Sequence, residues 1–140
     1  SLRVLSQRDV WVEVTTLVIP GRNDGDEELR DIARFIAREM RPDTPWHVSR
    51  FHPAWRLTDA PPTPTERLIR ARDIGFEEGL SYVYVGNVPG SEAESTFCPQ
   101  CGERVISRRG YQVTHTRLHE GRCALCGAEI AGVYRRRPSP

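Results

Sequence analysis

Two copies of one short device hold all four cysteines of the chain, Cys98-Pro99-Gln100-Cys101-Gly102 and Cys123-Ala124-Leu125-Cys126-Gly127, with 21 residues between Cys101 and Cys123. Thiolates three positions apart on a tight turn face the same ion. A glycine after the second cysteine permits the positive φ that lets backbone N–H groups point at sulfur. Two such knuckles make a closed tetrahedral set from Cys98, Cys101, Cys123 and Cys126. A closed set offers no open position for water or substrate, so the expected metal is structural. Zinc is the expected ion; rubredoxin-like iron, disulfides or free thiols are the alternatives. The intervening span, with Val105, Ile106, Tyr111 and Val113, is long enough for a β-hairpin, and Ile130 to Val133 would add a strand. At about 43 residues this tail is near the size at which an apolar core alone stops sufficing, and zinc worth ~10–16 kcal/mol in small peptides would make up the difference. His115 and His119 lie between the knuckles and, with four sulfurs available, are expected to be bystanders.

The composition fits a soluble chain. Hydrophobic residues make up 38%, enough for a modest core, and no run approaches the ~20 apolar residues of a membrane span. The first ten residues lack the apolar stretch of a signal peptide. A cytoplasmic location is therefore expected, where thiols stay reduced and paired cysteines hold metal. The net charge of +1 conceals an uneven distribution: residues 1–97 carry 12 Arg against 16 Asp and Glu, residues 98–140 carry 8 Arg against 3 Glu. Every basic residue is arginine, which suits bidentate recognition of phosphate but here reads first as codon bias.

Three apolar, β-branched or aromatic runs read as strands: Val10 to Ile19, Trp46 to Phe51 and Tyr82 to Val85. Each gap between them holds one helix, the βαβ rhythm of a parallel sheet. The first helix opens on Asp26, Glu27 and Glu28 and closes with Arg38 and Arg41 before Pro42, charges that oppose its dipole at both ends. Leu29, Ile32, Ala33, Ile36 and Met40 fall on one face, which should cover the sheet. For the second helix Thr63 suits the N-cap, Pro64 the first helical position and Glu66 the capping box, with Gly79 as the stop. The proline-rich stretch from Phe51 to Pro64 is a long loop at a strand end, a common place for function. Trp11, Trp46 and Trp55 are expected to pack. Three parallel strands alone leave two open edges and a bare face. More strands are therefore expected, and the chain reads as the C-terminal part of a longer protein, its first residues resembling the end of a helix.

The segments Val12-Glu13-Val14-Thr15-Thr16-Leu17-Val18-Ile19-Pro20-Gly21-Arg22-Asn23-Asp24, Pro45-Trp46-His47-Val48-Ser49-Arg50-Phe51-His52-Pro53 and Tyr82-Val83-Tyr84-Val85-Gly86-Asn87-Val88-Pro89-Gly90 resemble the C-terminal half of radical SAM enzymes of the AmmeMemoRadiSam type, relatives of the pyruvate formate-lyase activating enzymes. The double CxxC tail is similar to that group's as well. The resemblance implies an α/β fold: a partial (β/α) barrel with parallel strands over residues 1–90, a linker at 91–97, a zinc-ribbon-like domain at 98–134 and a basic tail at 135–140. It implies S-adenosylmethionine (SAM) lying across the C-terminal ends of the strands on a [4Fe–4S] cluster, whose reductive cleavage gives a 5′-deoxyadenosyl radical. It also implies that His52 and Arg50 touch SAM, and that Thr16 and Asn87 contact its methionine carboxylate or adenosine. The family's CxxxCxxC motif is absent, so the chain is not expected to act alone.

The partners this implies are the missing N-terminal half of the barrel and a protein substrate or the system's partner proteins. Two alternatives stand beside it: a nucleic-acid-binding ribbon, suggested by Arg104, Arg108, Arg109, Tyr111, Arg117 and the run Arg135-Arg136-Arg137, and a protein-docking ribbon. Nucleic acid is the weaker of these, because the acidic remainder of the chain would oppose it.

Overall fold

A computed structural model describes residues 2–8 and 10–134. After a short helix α1 (Leu2–Ser6), strand β1 (Val14–Val18) leads into helix α2 (Asp26–Phe35), which ends in a wide π turn, Ile36–Met40. Strand β2 (Trp46–Arg50), helix α3 (Thr65–Glu77) and strand β3 (Val83–Gly86) complete two βαβ units. The three strands are parallel in the order β1-β2-β3, with Val14 opposite Trp46 and Trp46 opposite Val83. The expected helical face is the one that packs. Leu29, Ala33, Ile36 and Met40 of the first helical segment join Leu68, Ala71 and Ile74 of α3 over Val18, Trp46, Val48, Val83 and Val85.

Both helices therefore lie on one side of the sheet, as sequential right-handed crossovers require. Their charged flanks interlock. Arg30 meets Glu77 at 2.8 Å and Glu78 at 2.9 Å, while Arg67 and Arg70 both hold Asp26. Helix α3 can lie close to the sheet because of Gly75: a Cβ there would come within 2.7 Å of Val83 Cγ2 and 3.1 Å of the Trp46 ring. Gly79, at φ +97°, ends the helix as expected, its N–H returning to Phe76 and that of Leu80 to Gly75.

Some local expectations are corrected. The first strand begins at Val14 and not Val10, because its first bond runs to the carbonyl of Pro45, a residue with no N–H to extend the ladder. Thr63 does not cap α3, whose N-cap is Pro64 without a side-chain bond. The fully buried Thr63 hydroxyl accepts from the Phe51 N–H at 2.9 Å and donates to the Val18 carbonyl at 2.6 Å. It ties the ends of two strands together, a use of higher value than a cap that solvent can replace. Of the three tryptophans only Trp46 is buried; Trp55 is 86% exposed.

The C-terminal part is a second small sheet. A 3₁₀ turn (Glu92–Glu94) and strand β4 (Thr96–Phe97) precede the hairpin of β5 (Arg104–Arg109) and β6 (Gln112–Thr116), and β4 pairs with β5. Residues 91–97, expected as a linker, thus contribute a strand to the ribbon's own sheet. A short pair, β7 (Leu118–His119) and β8 (Arg122–Cys123), frames the second knuckle. No strand forms at 130–133: only an isolated bridge joins Glu129 to Arg122, and Ile130 is buried as a core residue. The expected basic tail at 135–140 lies outside the described residues. The ribbon packs on the main sheet through Tyr82 and Tyr84, which join Cys98, Val105, Cys123 and Ile130 in a second core. No described helix is long and apolar enough to cross a membrane.

Two substitutions test this packing. Gly75→Ala is expected to lose about 1–3 kcal/mol through overpacking against Val83 and Trp46. Thr63→Ala leaves a buried N–H and a buried carbonyl short of a partner and is expected to cost about 1–3 kcal/mol, with Thr63→Ser restoring most of it. Urea denaturation of the three variants measures both.

Candidate functional site

The two knuckles close on one another. The four sulfurs of Cys98, Cys101, Cys123 and Cys126 all lie within 4.8 Å of one another, with Cys98 3.6 Å from Cys126 and Cys101 3.7 Å from Cys123. Four sulfurs at the vertices of a tetrahedron about 2.3 Å from a central ion stand about 3.8 Å apart, whereas a disulfide would bring two of them to about 2.05 Å. All four are free thiols. The spacing is that of a metal site, so the four-cysteine group is one that could hold a single ion. His115 and His119 are exposed on the hairpin side and do not belong to the group.

The local fold prepares the sulfurs for negative charge. Gly102 and Gly127 take φ +72° and +75°, and their N–H groups return to the carbonyls of Cys98 and Cys123, closing each knuckle. The backbone N–H of Cys126, aided by that of Leu125 and against the effect of burial, draws the Cys123 thiol down to about 7. At Cys101 the Glu103 N–H likewise lowers the thiol, but burial and the neighbouring sulfurs outweigh it and push the thiol up to about 12. Of these two sulfurs Cys123 thus ionises the more readily, and Cys101 resists ionisation. A metal must displace the remaining protons, so affinity rises with pH.

The second candidate region is the face of the main sheet turned away from the helices. Side chains alternate along each strand, so Glu13 and Thr15, His47 and Ser49, and Tyr84 and Gly86 all fall on that face. They floor a broad groove of about 1370 Å³, walled on one side by the ribbon's hairpin at Arg108 to Tyr111. At its base His47 Nε2 lies 2.7 Å from a Glu13 carboxylate oxygen, and the imidazole stacks on Tyr84 at 4.9 Å. Burial pushes the Glu13 carboxyl up, but the bonds to Trp11 and His47 outweigh it and hold the group below its ordinary value. The Tyr84 hydroxyl meets Thr96 at 3.0 Å, and the Arg108 guanidinium donates to the same Thr96 oxygen while lying 5.6 Å over the Tyr84 ring. Burial drives the Tyr84 phenol upward, so it stays protonated.

Three of the four expected ligand-binding residues come together here. Arg50 ends β2, His52 follows it, and Asn87 follows β3; all three line the groove at the C-terminal ends of the strands. Asn87 adopts φ +61° and donates through Nδ2 to the Arg50 carbonyl at 3.3 Å. Arg50 Nε is buried without an acceptor among the described residues. Thr16 is not brought there: it points to the helix side, where its hydroxyl accepts from the Trp46 indole N–H at 2.9 Å. Its neighbour Thr15 holds the groove position instead. The strict alternation Glu13-Val14-Thr15 and His47-Val48-Ser49 was the available signal for Glu13, Thr15, His47 and Ser49, and a reading of these strands as continuous apolar runs passes over it.

The ribbon's surface leaves less free charge than its composition suggests. Arg104 pairs with Glu92 at 3.0 Å, and Arg117 pairs with Glu103. A nucleic-acid interface would need those charges free.

No protein-family profile matches the chain, and no solved structure matches it. A protein of Methanocaldococcus jannaschii described as "Uncharacterized protein MJ0808" is 47% identical over 123 residues, which make up 86% of this chain and 37% of that protein. The chain therefore spans little more than a third of the length of the relative that it matches.

Removing the metal should unmake the ribbon. One equivalent of metal per chain is expected by elemental analysis, with occupancy falling as the pH drops through the thiolate range. Cys123→Ser should lose the ion and the hairpin's circular dichroism together; retention of a full equivalent by that variant would remove Cys123 from the site.

Proposed function

We propose that this chain is the C-terminal part of a radical SAM enzyme of the AmmeMemoRadiSam type, that its main sheet is an arc of a (β/α) barrel, and that the groove is its share of the SAM pocket. The observation that carries this reading is the gathering of Arg50, His52 and Asn87 at the C-terminal ends of parallel strands, above a polar sheet face whose opposite side is covered by helices. Parallel β/α folds place their sites at that edge. A sequential strand order with both helices outside and polar side chains inside is the winding of a barrel wall, and the bare face and open edges are where further strands would add. The length of the Methanocaldococcus jannaschii relative agrees with a chain of this kind being part of something larger.

In this reading His52 and Arg50 hold SAM at the top of β2, and Asn87 fixes the strand end from which Arg50 projects. SAM bound to a [4Fe–4S] cluster supplies radical chemistry, but this chain's residues do not fit the cluster itself: all four cysteines are committed to the ribbon. The ligands must come from the remainder of the barrel, the first of the proposed partners. Zinc is the ion we assign to the ribbon, since a closed four-sulfur set suits it and leaves no catalytic position. The ribbon then acts as a fixed wall of the groove and offers a docking face for a protein substrate or partner protein.

Replacing His52 or Arg50 by Ala in a full-length parent should weaken SAM binding about 10- to 150-fold, the loss of one hydrogen bond to a charged ligand, without a change in melting temperature. The 140-residue chain, after iron and sulfide reconstitution, should yield no 5′-deoxyadenosine. Undiminished SAM cleavage by both variants contradicts the assignment of these residues, and cleavage by the chain alone contradicts the partial-site reading.

A further inference from the structure

We propose that the groove binds a small organic anion, carrying carboxylate or phosphate groups, at a site framed by Arg50 on the sheet and Arg108 and Arg109 on the ribbon. The proposal stands apart from the SAM reading. SAM carries one net positive charge, from its sulfonium, so a SAM molecule bound there leaves the cationic excess of the groove uncompensated.

The excess is visible in how the arginines are used. Most described arginines outside the groove are ion-paired, among them Arg30, Arg34, Arg67 and Arg70. In the groove three guanidinium groups line one concavity, and none forms an ion pair among the described residues. Arg108 is spent on a neutral hydroxyl and the Tyr84 ring, with only a longer-range attraction to Glu13. Arg109 is exposed at the rim. Arg50 has its Nε sealed from solvent with no acceptor, a cost that a bound anion reorienting the guanidinium would relieve.

The groove's own carboxylates, Glu13 and Glu94, offset these three charges only in part and pair directly with none of them. Glu13 accepts from the Trp11 indole and meets the His47 ring, and Glu94 accepts from the Gly110 N–H at 2.9 Å, which also pins the hairpin tip beside the groove. Two walls of different origin thus present cations to one space. Planar guanidinium forks suit carboxylate and phosphate oxygens. The volume of about 1370 Å³ leaves room for such a molecule beside another ligand.

The test titrates the metal-loaded 140-residue chain with citrate and, separately, with pyrophosphate, by calorimetry at low and physiological salt. Saturable binding by at least one is expected, weakening as salt rises. The tighter of the two tells carboxylate from phosphate. Arg109→Glu, a fully surface substitution, should weaken it about tenfold or more, and Arg50→Gln should do likewise. Arg38→Glu, on the helix side, should change nothing. Absence of saturable binding into the millimolar range, or equal losses from Arg38→Glu and Arg109→Glu, would overturn the proposal. SAM titrated in parallel separates the two readings: anions binding where SAM does not leaves this site standing and removes the other, and the reverse outcome removes this one.

Discussion

One strand belongs to two cores, and the arrangement of the protein follows from it. The alternation along β3 turns Val83 and Val85 to the helices, while Tyr84 on its other face, with Tyr82 just before the strand, meets the ribbon. Apolar burial on the first side fixes the βαβ layer. On the second side the tyrosines fasten the ribbon by ring packing and by hydroxyl bonds, Tyr82 accepting from the Ala131 N–H at 3.0 Å and Tyr84 reaching Thr96. A shift of β3 by one residue would exchange these faces and undo both cores at once.

The ribbon's own order has a different source. Its hairpin is poorly buried, with β6 exposed along its whole length and Tyr111 projecting from the turn at 105% exposure. So little apolar cover is near the limit for about 40 residues, and an ion held by the four sulfurs would carry what burial does not. Cys98 and Cys123 are both knuckle residues and members of the second core, so an ion bound there and docking on the sheet would reinforce each other. The groove inherits this dependence, since its ribbon wall is only as fixed as the cluster that supports it.

Much of this was legible in the sequence, for identifiable reasons. The cysteine spacing is a local geometric rule, and the structure brings those four sulfurs together as the spacing demands. The helical face of Leu29, Ala33, Ile36 and Met40 was equally plain, because burial is the only use for such a stripe. The gathering of Arg50, His52 and Asn87 at one edge followed once parallel strands were inferred. What escaped depended on contacts between distant segments. Thr63 has the sequence of a helix cap but serves two strands, Val18 and Phe51 being its partners. Thr16 and Thr15 differ only in which face of β1 they occupy, a matter of register. In the Glu13–His47–Tyr84–Arg108 chain the strand alternation places the first three on one face, but no local pattern announces the Arg108 that the ribbon brings to them.

The central claim is that the polar face and strand ends of the main sheet form a ligand site and that the helix face does not. Backbone amide shifts of isotopically labelled, metal-loaded chain during titration with SAM and, separately, with citrate test it most directly. The account predicts progressive, saturable shifts at Ser49, Arg50, His52, Gly86 and Asn87, with the helix-facing Ala71 and Ile74 unmoved. Shifts confined to the helices, or no shifts with either ligand, would contradict it.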